Sequence, residues 1–317
     1  MMTKQNKLDV VTFGEPLVMF YANEIGELDQ INSFSKALAG AESNVAIGLS
    51  RLSHRTGLVA KLGNDSFASF IKATLQHEGV DISSISTSDE RPTGMLIKSK
   101  VASGDPKVEY FRKFAAASTL NLSDFDHSYF ESARHLHATS ISAALSDECF
   151  EFATFAMEHM KRQGKTVSFD PNLRPVLWKD EKTMIEGVNK LAILSDWFLP
   201  GLGEGKRLTG YDTPEAIADF YLERGPSIVV IKLGPEGAYY KTKESQGIVN
   251  GFKVEQVIDT VGAGDGFAVG VISGLLEGLT LPEAVKRGNA IGALAVMSPG
   301  DMDGLPDRAK LEGFMKI

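Results

Sequence analysis

The chain alternates between short apolar runs and longer stretches in which apolar residues recur at helical spacing. The apolar runs, which are suited to buried parallel strands, lie at residues 8–13, 56–61, 134–138, 166–169, 197–199 and 228–231. Helical spacing is found at residues 43–53, 66–78, 147–162, 181–194, 214–224 and 282–297. This alternation predicts an α/β fold with a mostly parallel central sheet and helices on both faces.

Two segments, residues 15–34 and 93–112, interrupt this alternation. The first follows the opening strand without a helical pattern, and the second has the form of a hairpin with a turn at Ser103-Gly-Asp-Pro106. No linker, low-complexity tract or internal repeat divides the chain. We therefore expect one domain over residues 1–317, in which the two segments form a small β-sheet outside the main one.

The composition narrows the possible classes of function. The formal net charge of −8 argues against a nucleic-acid binder, because such a protein needs a basic surface to displace counterions from phosphate. The one cysteine, Cys149, can form no internal disulfide, which fits a reducing compartment. The first residues lack the apolar core of a signal peptide, and no apolar run has the length of a membrane span. We expect a cytoplasmic protein that binds neither nucleic acid nor membrane.

A glycine-rich turn near the C-terminus carries the most informative chemistry. Gly262, Ala263 and Gly264 precede a small, apolar helical stretch, and Asp265 stands at its start. Free N–H groups and the helix dipole make such a turn an anion site, so a carboxylate there would meet developing phosphate charge. The alternative is an ordinary aspartate cap. Asp259, just before the turn, offers oxygens for a monovalent cation, or else belongs to a surface turn.

Two long motifs, far apart in the chain, resemble the signatures of the ribokinase-like (PfkB) family of carbohydrate kinases. They are Asp259-Thr-Val-Gly-Ala-Gly-Asp265-Gly-Phe and Ala39-Gly-Ala-Glu-Ser-Asn44-Val-Ala46. The resemblance implies a ribokinase-like fold that uses ATP and Mg²⁺, with K⁺ as a further ion at Asp259. It implies that Asp265 is the catalytic base and that Gly262, Ala263 and Gly264 stabilise the transferred phosphate. It also implies that the small sheet is a lid, which often makes the contact of a homo-oligomer.

The glycine-rich stretches match two other nucleotide-binding motifs less well. Gly201-Leu-Gly-Glu-Gly-Lys206 resembles a phosphate loop, but Pro200 and Arg207 stand where that motif needs glycine and a hydroxyl residue. The turn at Gly262 lacks the spacing of a dinucleotide fingerprint and lies late in the chain, which disfavours a dehydrogenase.

On the nucleotide side, the resemblance implies contacts at Asn172, Lys232, Gly234, Gly237, Gly262, Gly264 and Asn289. Glu204 stands in the place of the family's Asn-x-x-Glu motif and would act on magnesium through water. Gly201 departs from the asparagine of that motif.

On the sugar side, the resemblance implies contacts at Glu15, Gly40, Asn44, Tyr110, Arg112 and Arg174. The two arginines resemble those of the sugar-acid kinases of the family, and a substrate carboxylate would give two guanidinium groups a direct partner. We therefore expect a sugar acid and ATP as the small-molecule partners. Fructokinases share much of this pattern and are the second reading. A sugar- or nucleotide-binding sensor without catalysis is the non-enzyme alternative, which the intact Gly-Ala-Gly-Asp265 sequence disfavours.

Overall fold

The computed structural model describes residues 8–101, 106–298 and 300–316. Its strands are β1 (Val10–Phe13), β2 (Leu17–Ile25), β3 (Phe34–Ala39), β4 (Thr56–Gly63), β5 (Ile85–Ser88), β6 (Met95–Lys100), β7 (Val108–Phe111), β8 (His135–Thr139), β9 (Thr166–Asp170), β10 (Trp197–Phe198), β11 (Ile228–Lys232), β12 (Gly237–Lys241) and β13 (Gln246–Asn250). Its helices are α1 (Ala41–Arg51), α2 (Ser66–His77), α3 (His127–Ser132), α4 (Ser140–Ala143), α5 (Asp147–Arg162), α6 (Glu181–Ala192), α7 (Leu202–Thr209), α8 (Pro214–Leu222), α9 (Ala263–Leu276), α10 (Leu281–Val296) and α11 (Arg308–Met315).

A nine-stranded sheet forms the body of the protein. Its order is β13-β12-β11-β10-β9-β8-β1-β4-β5, and the pairs from β11 to β5 are parallel. The strands β12 and β13 add an antiparallel edge. Parallel strands run through the centre because their apolar residues are covered on both faces.

Helices pack against both faces of this sheet, with one hydrophobic core on each face. Val11 belongs to one core and its neighbour Val10 to the other, as expected when successive side chains point to opposite faces. Helices α5, α6 and α8 contribute to the first core, and helices α1, α2, α9 and α10 to the second. The predicted fold class is confirmed, and the predicted strands and helices are present with ends that differ by at most two residues.

The two interrupting segments form a second sheet with the order β3-β2-β6-β7. The predicted hairpin is present as the antiparallel pair of β6 and β7, although the turn residues 103–105 lie outside the described part of the chain. The strand β3 begins at residue 34, where the first predicted segment ends, so the sheet reaches further along the chain than its sequence pattern indicates. Within the described residues, no helix is long and apolar enough to cross a membrane.

Candidate active site

The predicted site residues gather at the edge of the large sheet where the parallel strands end. A cavity of about 320 Å³, here called the inner cavity, is lined by Glu15, Gly40, Asn44, Tyr110, Arg112, Asn172, Arg174, Glu204, Lys232, Gly262, Gly264 and Asp265. Ligands of open α/β sheets bind at this edge, beyond the carboxyl ends of the strands. Leu96 and Tyr110 of the small sheet also line the cavity, so the second sheet covers its mouth.

A larger, mostly apolar cavity lies beside the inner one. It has a volume of about 740 Å³ and is lined by the remaining predicted nucleotide-side residues Gly234, Gly237 and Asn289, together with Ala263 of the glycine-rich turn. The amide of Asn289 donates hydrogen bonds to the carbonyls of Val249 and Asn250, at 2.9 and 3.1 Å. Lys232, Thr260 and Gly264 line both cavities, so the two spaces meet at the glycine-rich turn.

The turn is shaped by Gly262, the N-cap of α9. This residue has φ of 81°, and a Cβ there would lie 2.5 Å from the carbonyl oxygen of Asp301. Only glycine combines that dihedral with so close an approach of backbone. The first amides of a helix have no intrahelical acceptor, which makes a helix N-terminus suited to anions. In α9 the N–H of Ala263 donates to the carbonyl of Thr260 at 3.4 Å, and Gly264 lies where the two cavities meet.

Asp265 lies in the first turn of α9 and is held by two amides. Asn44 Nδ2 donates to its Oδ2 at 2.8 Å, and Asn172 Nδ2 lies 3.4 Å from its Oδ1. Burial, reinforced by the nearby carboxylates of Asp170, Asp301 and Glu42, raises the pKa of Asp265 to about 7, although the Asn44 hydrogen bond opposes this shift. A buried carboxylate with a pKa near neutrality is suited to accept a proton.

The loop after β9 brings a second set of polar groups to the junction. Asp170 Oδ2 accepts a 2.6 Å hydrogen bond from Lys232 Nζ, and Asp170 Oδ1 accepts one of 3.1 Å from the backbone of Asn172. Burial opposes the charge on Lys232, but Asp170 and Glu204 outweigh it and raise the pKa of Lys232. Asp170 was given no role by the sequence analysis, although it begins the Asp-Pro-Asn stretch that supplied Asn172.

Glu204 holds this loop with both of its carboxylate oxygens. They accept from the backbone amides of Leu173 and Gly201, at 2.8 and 2.7 Å. Mg²⁺ prefers hard oxygen ligands and usually keeps several waters. Asp170 and Glu204 supply hard oxygens beside Lys232 and fit such an ion, although each already has a hydrogen-bond donor. Water and phosphate oxygens would therefore provide most of its coordination.

At the other end of the inner cavity, Glu15 and Arg112 form a buried ion pair. The side chain of Glu15 is 1% exposed and that of Arg112 is 9% exposed. Burial raises the pKa of Glu15 to about 7; Arg112 opposes this shift, and Glu42 adds to it. Glu15 Oε1, Asn44 Oδ1 and Arg112 Nε are buried and have no hydrogen-bond partner among the described residues. Buried polar atoms are rarely left unpaired, so these three mark places for groups of a ligand.

Glu42 is a buried charged residue that the sequence analysis did not select. Its Oε1 accepts hydrogen bonds from the hydroxyls of Thr139 and Ser142, at 2.7 and 2.6 Å. Burial raises its pKa despite these bonds. The one indication in the sequence was its position inside the first motif, between Gly40 and Asn44. Nothing in that motif shows that the Glu42 side chain points into the protein.

The remaining sugar-side residues are more peripheral. Arg174 is exposed, and its Nη1 donates to the carbonyl of Leu173 at 3.0 Å. Tyr110 is 45% exposed and packs beside Arg112, whose guanidinium carbon lies 5.5 Å from the ring centre. Gly40 has φ of 129°, and a Cβ there would lie 2.7 Å from the carbonyl oxygen of Glu15, so the fold itself explains this glycine.

Asp259 stands apart from the other predicted residues and lines neither cavity. Its Oδ1 accepts from the amide of Val261 at 3.0 Å, and its Oδ2 is in contact with the ammonium group of Lys98 from strand β6. The same ammonium lies 3.6 Å from Asp301 Oδ1.

An anion-binding helix N-terminus beside a buried carboxylate, at the edge of a doubly covered parallel sheet, is the arrangement of a phosphotransferase. The chain belongs to the pfkB family of carbohydrate kinases, whose model matches residues 7–308.

Individual relatives agree over nearly the whole chain. The 2-dehydro-3-deoxygluconokinase of Bacillus subtilis (strain 168) is 58% identical over 310 residues, which cover 98% of this chain and 96% of the relative. Fructokinase-1 of Zea mays is 31% identical over 311 residues, which cover 95% of this chain and 96% of the relative. A solved structure described as a ribokinase II of E. coli, in complex with ATP and Mg²⁺, is 30% identical. It has a TM-score of 0.91 and covers 98% of this chain and 99% of its own.

Proposed function

We propose that this kinase transfers the γ-phosphoryl group of ATP to the 6-hydroxyl of 2-dehydro-3-deoxygluconate. The observation that carries the proposal is a set of buried polar atoms, unpaired within the described residues, on side chains that line the inner cavity: Glu15 Oε1, Asn44 Oδ1 and Arg112 Nε. Two acceptors and a cationic donor suit a ligand that has both hydroxyl groups and a carboxylate. The 58% identity to the B. subtilis 2-dehydro-3-deoxygluconokinase supports the same substrate.

In the proposed reaction, Asp265 accepts the proton of the attacking hydroxyl. The hydroxyl oxygen forms a bond to the γ-phosphorus, the bond from that phosphorus to the β-phosphate oxygen breaks, and ADP leaves. Asn44 and Asn172 hold the Asp265 carboxylate in place. The amides at Gly262, Ala263 and Gly264 stabilise the charge on the phosphoryl group as it moves.

The nucleotide would extend from this junction into the apolar cavity, past Gly234 and Gly237 to Asn289. Lys232 adds positive charge beside the phosphates. Mg²⁺, when bound, would neutralise phosphate oxygens, with Asp170 and Glu204 as its nearest carboxylates.

At the sugar end, the structure changes the argument for an acidic substrate. Arg112 does not need a substrate carboxylate to balance its charge, because Glu15 is already its partner. The sugar acid is therefore supported by the free Nε of Arg112 and by the exposed guanidinium of Arg174. In this proposal, Tyr110 and Arg112 cover the substrate from the small sheet, which closes as a lid and limits the access of water.

The substrate panel described below distinguishes the proposed function from two alternatives. Fructokinase is the second candidate, because fructokinases are among the relatives, but the identity to Fructokinase-1 of Zea mays is 31% against 58%. The sensor is disfavoured by the intact pair of Asp265 and Gly262 at the helix N-terminus.

We also propose that the small sheet makes a homo-oligomer contact. Tyr21, Ile25 and Phe111 are exposed large apolar residues on its strands. Light scattering on the purified protein, with Phe111→Ser as the variant, tests this contact. A wild-type monomer would contradict it.

The function itself is tested by a panel of substrates with ATP: 2-dehydro-3-deoxygluconate, fructose, ribose and gluconate. The proposal expects the highest kcat/KM for 2-dehydro-3-deoxygluconate and a product that carries its phosphate on the 6-hydroxyl, as read by ³¹P NMR. Better turnover of fructose would establish the second candidate, and no turnover of any sugar would favour the sensor.

A further inference from the structure

The side chain of Lys98 reaches from the small sheet into the body of the protein. It leaves strand β6 on the same face as Leu96, which lines the inner cavity, and it is 6% exposed. Its ammonium group contacts Asp259 and lies 3.6 Å from Asp301 Oδ1, and both carboxylates are about as buried as the lysine. Buried charges are rarely tolerated without partners, so the three groups form one unit.

These two aspartates form the corner that supports the glycine-rich turn. The backbone N–H of Asp259 donates to the carbonyl of Val296 at 3.3 Å, and its carboxylate accepts from the amide of Val261. The carbonyl of Asp301 lies against Gly262 closely enough to exclude any Cβ. A change in the position of either aspartate would therefore move the N–H groups of Gly262 and Gly264.

This corner is also where the sequence motif led us to expect K⁺. Two buried carboxylates beside an incoming polyphosphate require a positive charge, whether from an ion or a side chain. Here the ammonium group of Lys98 contacts Asp259 Oδ2 and lies beside Asp301, while Asp259 Oδ1 accepts from the amide of Val261, so both oxygens of Asp259 already have donors. The residues present do not fit a monovalent cation at Asp259.

We infer that Lys98 is a built-in substitute for the monovalent cation and acts as a positioning residue for the anion-binding turn. Its charge holds Asp259 and Asp301 together and so fixes the N–H groups that face the transferred phosphate. Since the ammonium is covalently part of the chain, the enzyme does not depend on K⁺. The inference rests on the proposed kinase activity for its kinetic consequences, but not for its effect on cation binding.

The first experiment compares K⁺ with choline, at equal ionic strength, on the wild-type protein. The inference expects the same kcat/KM and the same midpoint of thermal unfolding in both salts. A K⁺-specific rise in either quantity would overturn it. The thermal measurement needs no substrate, so it distinguishes failure of this inference from failure of the proposed function.

The second experiment removes the charge with Lys98→Met, which keeps the length and apolar character of the side chain. In choline we expect kcat to fall on the order of 10²-fold, as for a small displacement of reacting groups, with a smaller change in KM. K⁺ should then occupy the vacated place, restore part of kcat and raise the unfolding midpoint of the variant. Loss of activity without any response to K⁺ would mean that Lys98 only tethers the small sheet, and would overturn the inference.

Lys100→Met is the matched control. It removes the same charge from the same strand, but Lys100 is exposed, and among the described residues its Nζ donates only to the carbonyl of Asn23, at 3.2 Å. Wild-type kcat without K⁺ activation is expected, and a K⁺ response equal to that of Lys98→Met would contradict a specific role for Lys98. If Lys98→Met does not fold, the wild-type comparison of the two salts still decides the question.

Discussion

The two ends of the candidate active site differ in whether backbone groups or side chains supply their polar contacts. At the proposed nucleotide end, an apolar cavity meets the N-terminus of α9, and the groups proposed to contact the phosphates are mainly backbone amides. At the sugar end, buried side chains from distant parts of the chain meet, with Glu15 against Arg112 and Glu42 against two hydroxyls. Positive potential at the first end comes from the N–H groups of a helix N-terminus. At the second end, the charges are those of paired side chains.

This difference separates turnover from substrate choice. In the proposed reaction, backbone amides and the Asp265 carboxylate act on the phosphoryl group whichever sugar is bound, so substitutions there should affect all substrates alike. Unpaired buried atoms at the sugar end favour a ligand that satisfies them and reject one that does not. Substitutions at the two ends should therefore have distinguishable kinetic signatures.

The largest effect is expected from Asp265→Asn. Removal of a general base costs on the order of 10²–10⁴ in rate, so kcat should fall by that amount for every sugar while ATP still binds. Because burial raises the Asp265 pKa to about 7, the folded state loses stability as the pH rises from the ordinary aspartate pKa towards 7, and the full loss remains above that pH. The variant should therefore unfold at or above the wild-type temperature at about pH 8. Near-normal kcat would remove Asp265 from the mechanism.

The pH dependence of kcat/KM in the wild type should follow the ionisation of Asp265. Asp265 must be ionised to accept a proton, and its pKa is raised to about 7 in the free protein. Below that pH, kcat/KM should fall about tenfold per unit, or more steeply as Glu15 also takes up a proton. Measurement of kcat/KM across the acid range checks this, and a rate that stays level well below neutrality would contradict the assignment.

At the sugar end, Arg174→Ala should reduce kcat/KM for the sugar acid. Loss of a charge-assisted hydrogen bond costs roughly 1.5–3 kcal/mol, which is about ten- to a hundredfold. The loss for fructose should be smaller, because fructose has no carboxylate. Arg174 is exposed, and within the described part of the chain its side chain donates only to the neighbouring carbonyl of Leu173, so the fold should be unaffected. Thermal unfolding of the variant provides the control.

Glu204→Gln tests the junction between the two ends. Glutamine has one acceptor oxygen, so one of the amides of Leu173 and Gly201 loses its partner. An unsatisfied buried donor costs about 1–3 kcal/mol, and we expect a loss of activity of about tenfold together with a higher Mg²⁺ requirement. A Mg²⁺ titration is the measurement. An unchanged titration would assign Glu204 to holding the loop alone.

Tyr110→Phe should have the smallest effect. The ring still packs beside Arg112, and only a neutral hydroxyl is lost. A net cost of about 0.5–1.5 kcal/mol predicts a loss of a few-fold in kcat/KM for the sugar acid. A loss as large as that of Arg174→Ala would mean that the hydroxyl is a main contact of the substrate.

How far the sequence predicts this site depends on how local each part is. The turn from Gly262 to Asp265 is a continuous motif, so the sequence alone predicts a glycine turn, a helix that begins there and a carboxylate in its first turn. The structure has all three. The pairing of Asn44 with Asp265 spans 221 positions, and only the fold brings the two together. Motif resemblance placed both residues in one site without predicting this hydrogen bond.

Buried charges were the hardest features to predict. Lys98 lies in a predicted hairpin, where lysine side chains commonly face solvent, and no neighbouring residue in the sequence indicates that its ammonium contacts Asp259. Glu42 stands just before the predicted helical stretch of residues 43–53, and its sequence neighbours do not distinguish it from a surface residue. Burial of a charge depends on partners supplied from elsewhere in the chain, and such partners have no local pattern.

The separation of turnover from substrate choice is tested most directly by one ratio: kcat/KM for 2-dehydro-3-deoxygluconate divided by kcat/KM for fructose. It should be measured for the wild type, Arg174→Ala and Gly264→Ala. A Cβ at Gly264 would lie 3.6 Å from Lys232 Nζ, so alanine fits the fold while adding a methyl group beside the phosphate site. We predict a ratio well above one in the wild type, the same ratio in Gly264→Ala at lower absolute rates, and a collapsed ratio in Arg174→Ala. A ratio that changes equally in both variants, or that favours fructose in the wild type, would contradict the account.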